Sequence, residues 1–225
     1  MKSYDSIVRF KDDGSLLGEQ VYAFNKLDGQ NFRVKYNPKT KQFTQFGSRN
    51  CLVDITNEYF KDAITYFKNN IEKPLLEIIL ENSGKNQIFK GIEEITFFFE
   101  WYGEKTFAGF HTEGDELKLK LIDIFLKKKG YIEPKLFDKI FCQDNRIETP
   151  EIIYHGVLND DFIQSIVNND WTKEDAKYPT VKEGVVVKRT TLLKGQRLPM
   201  CKIKTVWWLT ELHNKYSEEE CKILE

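Results

Sequence analysis

Lys26 is the residue of this sequence with the clearest capacity for chemistry. It begins the block Lys26-Leu27-Asp28-Gly29, whose Asp-Gly pair predicts a tight hairpin turn between two flanking strands. A lysine attacks phosphorus only as a neutral amine, so nearby cations or desolvation must favour that form. Lys202 and Lys204 have period-two spacing, which places both on one strand face, and they would also neutralise an α-phosphate. The predicted reaction is attack of Lys26 on the α-phosphorus of a nucleoside triphosphate, with loss of pyrophosphate.

Three carboxylates accompany these lysines. Glu100 lies in the aromatic run 97–102, where a buried charge must meet a ribose hydroxyl or a metal; an outward position on an edge strand is the alternative. The same two interpretations apply to Asp123. Glu183 begins a β-branched strand whose inward positions would lie beneath a purine, with Lys188 reaching a phosphate from its far end. Together the carboxylates could hold ribose or a hydrated Mg²⁺.

Each block has an ordinary interpretation when taken alone. Lys26 could be a solvated lysine beside a hairpin, and Lys202-Ile203-Lys204 could protect an edge strand from aggregation. The chemical interpretation depends on all of the blocks occurring together in one order. The sequence has no Walker A loop and no GxGxxG motif, so a P-loop or Rossmann nucleotide site is unsupported.

The charge distribution favours a nucleic-acid partner, although the net charge is only −1. Residues 182–204 contain seven basic residues and one acid, and residues 26–50 contain six basic residues against Asp28 alone. Residues 144–175 reverse this balance, with eight acids and two basic residues. The two cationic segments also hold the motifs. Four arginines are the candidates for contacts with nucleic-acid phosphates: Arg33, Arg49, Arg189 and Arg197.

The hydrophobic pattern predicts one α+β domain over residues 1–225, with mainly antiparallel β-sheets flanked by helices. The predicted strands cover 21–24, 31–36, 42–46, 94–102, 106–111, 116–125, 182–190 and 199–206. The predicted helices cover 57–72, 74–83, 134–141 and 160–168, and a capping box at 217–220 opens a last one. No apolar run is long enough for a membrane span, and the four cysteines show no CxxC pair. We therefore expect a reducing cytoplasm, which would be the host cytoplasm if the protein is viral.

The ordered blocks resemble those of the covalent nucleotidyltransferases, which include ATP-dependent DNA ligases, RNA ligases and mRNA capping enzymes. In DNA ligases and capping enzymes an arginine follows the motif glycine by two places, but this chain has Asn31 there. The run Gly29-Gln30-Asn31-Phe32 is similar to the nick-sealing RNA ligases of phages and organelles. In that group the asparagine helps to hold metal-bound water. The resemblance extends over about residues 22–205.

The resemblance implies a set of site residues. Catalysis would involve Lys26, Lys202 and Lys204. A metal, Mg²⁺ or Mn²⁺, would involve Asn31, Glu100 and Glu183. Ile122 stands where these ligases usually have an aromatic residue that stacks on adenine, so stacking is weaker here or comes from another side chain. ATP would contact a larger group: Asn25, Asp28, Gly29, Arg49, Glu100, Ile122, Asp123, Glu183, Val186 and Lys188.

The function implied is that of an ATP-dependent RNA ligase. It would form a covalent lysyl-AMP, transfer AMP to an RNA 5′-phosphate, and join that end to a 3′-hydroxyl. Because about twenty residues follow Lys204, we expect no C-terminal OB or helical domain, and a protein partner could supply grip on the RNA. Three alternatives stay open: a small ATP-dependent DNA ligase, a GTP-dependent capping guanylyltransferase, and a non-catalytic module that binds nucleic-acid ends.

Overall fold

The computed structural model describes residues 1–84, 87–103, 116–191 and 199–224. The chain forms two compact units, each built on one sheet. The six-stranded unit comprises Met1–Asp5 and Gly29–Thr149, and the five-stranded unit comprises Ser6–Asp28 and Pro150–Glu225. Strand pairing is antiparallel throughout both sheets as described, apart from one short parallel pair. The predicted α+β class with mainly antiparallel sheets is confirmed.

The strands and helices follow the chain in this order. The strands are β1 (Val8–Arg9), β2 (Gln20–Asn25), β3 (Gln30–Asn37), β4 (Gln42–Ser48), β5 (Leu52–Val53), β6 (Ile95–Tyr102), β7 (Lys118–Leu126), β8 (Gly130–Tyr131), β9 (Ile152–Val157), β10 (Gly184–Arg189) and β11 (Met200–Lys204). The helices are α1 (Lys61–Tyr66), α2 (Glu72–Glu81), α3 (Pro134–Phe137), α4 (Asp160–Val167), α5 (Val206–Lys215) and α6 (Glu218–Leu224). Short π-helical turns, Phe67–Ile71 and Asp138–Cys142, extend α1 and α3.

The five-stranded sheet has the order β1-β11-β10-β2-β9 and one apolar face. Residues of β2, β10 and β11 that point to this face pack against Phe162, Ile163 and Ile166 of α4. Side chains alternate along a strand, so the opposite face carries Val186, Lys202 and the residues two positions away from each on the same strand. The helix thus fixes which side of the sheet carries the lysines.

The six-stranded sheet has the order β5-β4-β3-β6-β7-β8 and is aromatic on one face. Phe67, after α1, packs edge-on against Phe43 and Phe46 of β4 and against Phe99 of β6. Glu100 points to the other face of β6, which is an interior strand between β3 and β7. The edge-strand alternative for Glu100 is therefore wrong.

The hairpin predicted at Asp28-Gly29 is also wrong. β2 pairs with β9 and β10, whereas β3 pairs with β4 and β6, so the two strands flanking the turn belong to different sheets. Glycine is needed at position 29 for a different reason, because the backbone there lies close to β6: a Cβ would be 2.5 Å from the carbonyl oxygen of Trp101. The local Asp-Gly signal is overridden by pairing with strands distant in sequence.

Three elements of the five-stranded unit were not predicted from the sequence, namely the strands β1 and β9 and the helix α5. Other elements were predicted well. The Asn159 cap of α4 and the Ser217–Glu220 capping box of α6 are both present. The predicted strand 106–111 lies outside the described residues. Across the described ranges, no helix is long and apolar enough to span a membrane.

Candidate active site

Two lysines share one buried carboxylate in the five-stranded unit. Nζ of Lys26 lies 2.8 Å from Oε2 of Glu183, and Nζ of Lys204 lies 3.1 Å from Oε1 of the same side chain. Glu183 is only 3% exposed, and Lys204 is nearly as deeply buried. The predicted proximity of Lys26 and Lys204 is therefore present in the structure, with Glu183 as the residue that joins them.

The backbone holds this cluster in place. The N–H of Lys26 donates to the carbonyl of Gly184 at 2.9 Å, and the N–H of Thr205 donates to the carbonyl of Glu183 at 3.0 Å. Gly184 pairs with Lys204 across the β10–β11 ladder and has φ of +148°. A Cβ at Gly184 would come within 2.0 Å of the Ile203 carbonyl oxygen, so this rung of the ladder requires glycine.

Asp28 and Trp208 complete the cluster. Nε1 of Trp208 lies 3.5 Å from Oδ2 of Asp28, and the centre of the Trp208 ring lies 3.7 Å from Nζ of Lys204. The pKa of Asp28 is raised to about 6 by burial and, second, by the nearby charge of Glu183, against the lowering effect of Lys26. Burial lowers the pKa of Lys204; Glu183 opposes this shift and Lys26 reinforces it. The cluster is a poorly hydrated group of two cations and two acids.

The other candidates of this unit lie on or near the same sheet. Val186 is in register with Lys202, so both point to the face opposite α4. Lys188 is 4% exposed, with its ammonium 5.1 Å from the centre of the Phe24 ring. The side-chain amide of Asn25 donates to the carbonyl of Thr180 at 2.9 Å. β11 lies between β1 and β10, so Lys202 is not an edge-strand gatekeeper.

The metal candidates of the six-stranded unit are Asn31 and Glu100. They are register partners on β3 and β6, which places their side chains on the same face. Both polar atoms of the Asn31 amide are buried and have no hydrogen-bond partner among the described residues. Nowhere in the described ranges do three His, Cys, Asp or Glu side chains form a metal cluster. An orphaned amide beside one carboxylate suits a Mg²⁺ that keeps most of its water.

Asp123 is a buried acid on the same sheet, 2% exposed. Its Oδ2 accepts a hydrogen bond from the Tyr4 hydroxyl at 3.1 Å, and the Tyr4 ring packs on Phe98. Ile122 is the extra residue of a β-bulge, because Phe98 pairs with Asp123 while Phe99 pairs with Leu121. The bulge is what turns Asp123 towards Tyr4. Burial and the nearby Asp123 raise the pKa of Tyr4 well above its ordinary value.

The four arginines proposed for phosphate contacts are not equivalent. Arg49 is exposed just after β4. Arg33 is 3% exposed and donates to the hydroxyl of Ser3 at 2.8 Å, so it does not lie on a surface where RNA would meet it. Arg189 forms a 2.8 Å ion pair with Glu19. Arg197 lies outside the described residues.

Three residues near these candidates were missed from the sequence. Thr205 and Trp208 were missed together with α5, and Tyr4 was given no role. A signal for α5 did exist, because Thr205 is a strong N-cap type and Trp208 and Leu212 are spaced one helical turn apart. No sequence signal links Tyr4 to Asp123, which lies 119 positions away.

Comparison with known proteins identifies the family and the fold of this chain. A family model described as RNA ligase matches residues 19–204. A structure of the Naegleria gruberi RNA ligase with pyrophosphate superposes with a TM-score of 0.68 at 18% identity, covering 96% of this chain and 59% of that one. Two variants of the same ligase, one with AMP and manganese and one with ATP and manganese, give TM-scores of 0.65 and 0.64 at 17% identity, covering 94% and 93% of this chain.

This chain spans under two thirds of the length of those structures, since each variant is covered to 58%. No curated protein sequence matches it significantly. The likeness to the solved structures shows a shared fold, and the family model covers most of the chain. The predicted family is thereby confirmed: this chain belongs to the RNA ligase family.

Proposed function

We propose that this chain is an ATP-dependent RNA ligase whose first step places AMP on Lys26. The observation that carries the proposal is the pairing of Lys26 and Lys204 with the two oxygens of buried Glu183. A lysine at a turn is common, but a lysine held in a desolvated cluster with a second lysine is not. Such a cluster can present an amine to phosphorus and also stabilise negative charge as it develops.

The reaction requires little covalent chemistry from the protein. Nζ of Lys26 forms a bond to the α-phosphorus while the bond to the bridging oxygen of pyrophosphate breaks. Lys26 begins as an ammonium and ends as a phosphoramidate N–H, so it loses two protons. Oε2 of Glu183, 2.8 Å away, is the acceptor that we assign to the first, and the departing pyrophosphate takes the second. Lys204 and Lys202, on the face of β11 opposite α4, neutralise the phosphate oxygens. Positioning and charge neutralisation are the main demands of phosphoryl and nucleotidyl transfer.

A divalent metal would bind in the six-stranded unit. Asn31 and Glu100 would hold hydrated Mg²⁺ or Mn²⁺, which neutralises triphosphate charge when bound. One Naegleria ligase variant is with AMP and manganese and another with ATP and manganese, and this supports ATP and a divalent ion as the cofactors here. The buried Asp123, held by Tyr4, is the candidate in this unit for a ribose contact.

RNA is the substrate that family membership supports. In the later steps AMP would pass from Lys26 to an RNA 5′-phosphate, and a 3′-hydroxyl would then displace it. Among the three candidate arginines that the structure describes, Arg49 is the exposed one, and we assign it to an RNA phosphate. We also propose that a protein partner strengthens binding to the RNA.

The test is covalent labelling. The protein is incubated with α-labelled ATP and Mg²⁺, then denatured and resolved by electrophoresis, with α-labelled GTP in a parallel reaction. We expect an acid-labile label from ATP alone, its transfer to 5′-phosphorylated RNA, and then strand joining. Label from GTP would indicate a guanylyltransferase, and joining of DNA in preference to RNA would indicate a DNA ligase. No label from either nucleotide would overturn the proposal.

A further inference from the structure

We propose that Trp208 is a positioning residue for the adenylylation of Lys26, acting on Lys204 and Asp28 at once. The inference rests on the proposed function and adds to it a residue outside the motifs. Trp208 is 2% exposed, and α5 carries it into the lysine cluster.

The two contacts of Trp208 come from different parts of the indole. The face of the ring meets the ammonium of Lys204, with 3.7 Å between Nζ and the ring centre. The only polar group of an indole, its N–H, points to Oδ2 of Asp28 at 3.5 Å. A tryptophan face attracts a cation and an indole N–H can only donate, so each contact has the polarity that its partner requires.

The start of α5, which carries Trp208, is anchored by Thr205, a residue that also bonds the backbone of Glu183. Oγ1 of Thr205 accepts a hydrogen bond from the backbone N–H of Trp208 at 3.0 Å and donates to the carbonyl of Lys182 at 2.8 Å. The backbone N–H of Thr205 donates to the carbonyl of Glu183. Thr205 therefore fixes the backbone of Trp208 relative to the backbone of Glu183.

Trp208 prevents Lys204 and Asp28 from forming a direct ion pair. Lys204 and Asp28 are close enough to shift each other's pKa, and a direct ion pair between them is the obvious alternative. With the indole contacting both, the Lys204 ammonium stays on Glu183 beside Lys26. A residue with this role should influence the chemical step more than the affinity for ATP.

Two substitutions separate the contacts. Trp208→Phe keeps a ring for Lys204 but removes the N–H that faces Asp28, and Trp208→Leu removes both. Trp207→Phe is the matched control, because the neighbouring Trp207 packs edge-to-face on Trp171 at 5.4 Å between ring centres. Lysyl-AMP formation is measured in a single turnover over a range of ATP concentrations, with thermal melting of each variant.

We expect Trp208→Phe to lower the maximal rate about fivefold and Trp208→Leu about twentyfold, with the half-saturating ATP concentration changed less than about twofold. Trp207→Phe should match wild type. Adding Asp28→Asn to Trp208→Phe should cost less than it does in wild type, since the shared contact is already lost. If Trp208→Leu does not fold, Trp208→Phe and the double variant still decide the question.

Wild-type maximal rates in folded Trp208→Phe, or additive effects with Asp28→Asn, would overturn this inference. So would a loss confined to the melting temperature or to the ATP concentration required. Failure of the wild-type protein to take up label would instead overturn the proposed function, and the two failures are therefore distinguishable.

Discussion

Nζ of Lys26 lies 2.8 Å from Oε2 of Glu183, so the proposed nucleophile is held in an ion pair. An ion-paired ammonium has no lone pair with which to attack phosphorus. The proton on Lys26 must leave before or during attack, and the carboxylate that stabilises the ammonium is also the nearest base. The same contact holds the nucleophile in position and offers the route by which it is activated.

Replacing Lys26 should abolish labelling by α-labelled ATP. Lys26→Ala removes the amine, and Lys26→Arg keeps the positive charge but supplies a guanidinium that stays protonated, so neither variant should take up label. Denaturing electrophoresis measures the result. Both variants should still join RNA that already carries AMP on its 5′-phosphate, because that step does not use the amine. Label in either variant would place the nucleophile elsewhere.

Glu183→Gln should impair both stability and rate. It removes the shared counter-charge of the buried Lys204 ammonium and the partly buried Lys26 ammonium, and breaking a buried ion pair in this way costs about 3 kcal/mol. The free energy of unfolding, from urea titration, and the rate of lysyl-AMP formation are the measurements. Glu19→Gln is the comparison, because its ion pair with Arg189 is more exposed and should contribute much less. Equal effects of the two changes would contradict this account.

Lys204→Ala should slow adenylylation at least about tenfold, or roughly 1.4 kcal/mol of lost transition-state stabilisation. Lys204→Arg should recover only part of the rate, since a planar guanidinium cannot reproduce a compact ammonium over the Trp208 ring. Single-turnover labelling provides the rates. Lys173→Ala, which changes a lysine on the surface of the same unit, should have no effect. An unchanged rate in Lys204→Ala would remove this lysine from the catalytic group.

Asp28 should make the protein less stable as pH rises. Its pKa is about 6 in the folded state against an ordinary 3.8, so the folded state binds the proton more tightly. The resulting stabilisation is present below about pH 4 and is lost as the pH rises through 6. Between pH 5 and 7.5 the wild type should lose about 1.4 kcal/mol of unfolding free energy relative to Asp28→Asn. Urea titrations at each pH give the free energy of unfolding of both proteins. The same pH dependence in wild type and Asp28→Asn would contradict a raised pKa for Asp28.

Asn31→Ala should separate stability from activity. Both polar atoms of the Asn31 amide are buried without a partner in the described part of the chain, so removing them should leave the melting temperature unchanged or raised. If the amide serves a hydrated metal, the Mn²⁺ or Mg²⁺ concentration for half-maximal labelling should rise about tenfold. Asn37→Ala, at the far end of the same strand, should leave the metal requirement unchanged. A lower melting temperature with a normal metal requirement would make Asn31 a structural residue.

The lysine cluster was predictable because its members carry their own signals. Lys26 is next to an Asp-Gly pair, Glu183 begins a β-branched run, and Lys204 is two residues from another lysine. Each pattern predicts where the side chain lies relative to a strand. Glu183 as the shared partner of both lysines was not predictable. That role depends on the pairing of β10 with β11 and on Thr205, which only the folded chain shows.

The wrong or missing secondary-structure predictions share one main cause, which is contact between residues distant in sequence. The Asp28-Gly29 pair gives a strong local turn signal, but the strands on either side find better partners elsewhere. β9 alternates weakly and is only partly buried, so its pattern was too faint to detect. α5 was missed because its paired tryptophans favour strands, and because its N-cap, Thr205, follows a strand directly.

The absence of a side chain at Gly184 makes tolerance to mutation uneven across the site. Slipping β10 by one residue against β11 would exchange its two faces, sending Val185 into the charged side and Val186 into the apolar core. Any larger residue at position 184 would push β10 off the Ile203 carbonyl at the rung that carries Lys204. A changed Lys204 would leave a folded protein that reacts slowly, whereas a changed Gly184 would remove reaction and fold together. A position with no functional group thus accepts fewer replacements than the lysine on the neighbouring strand.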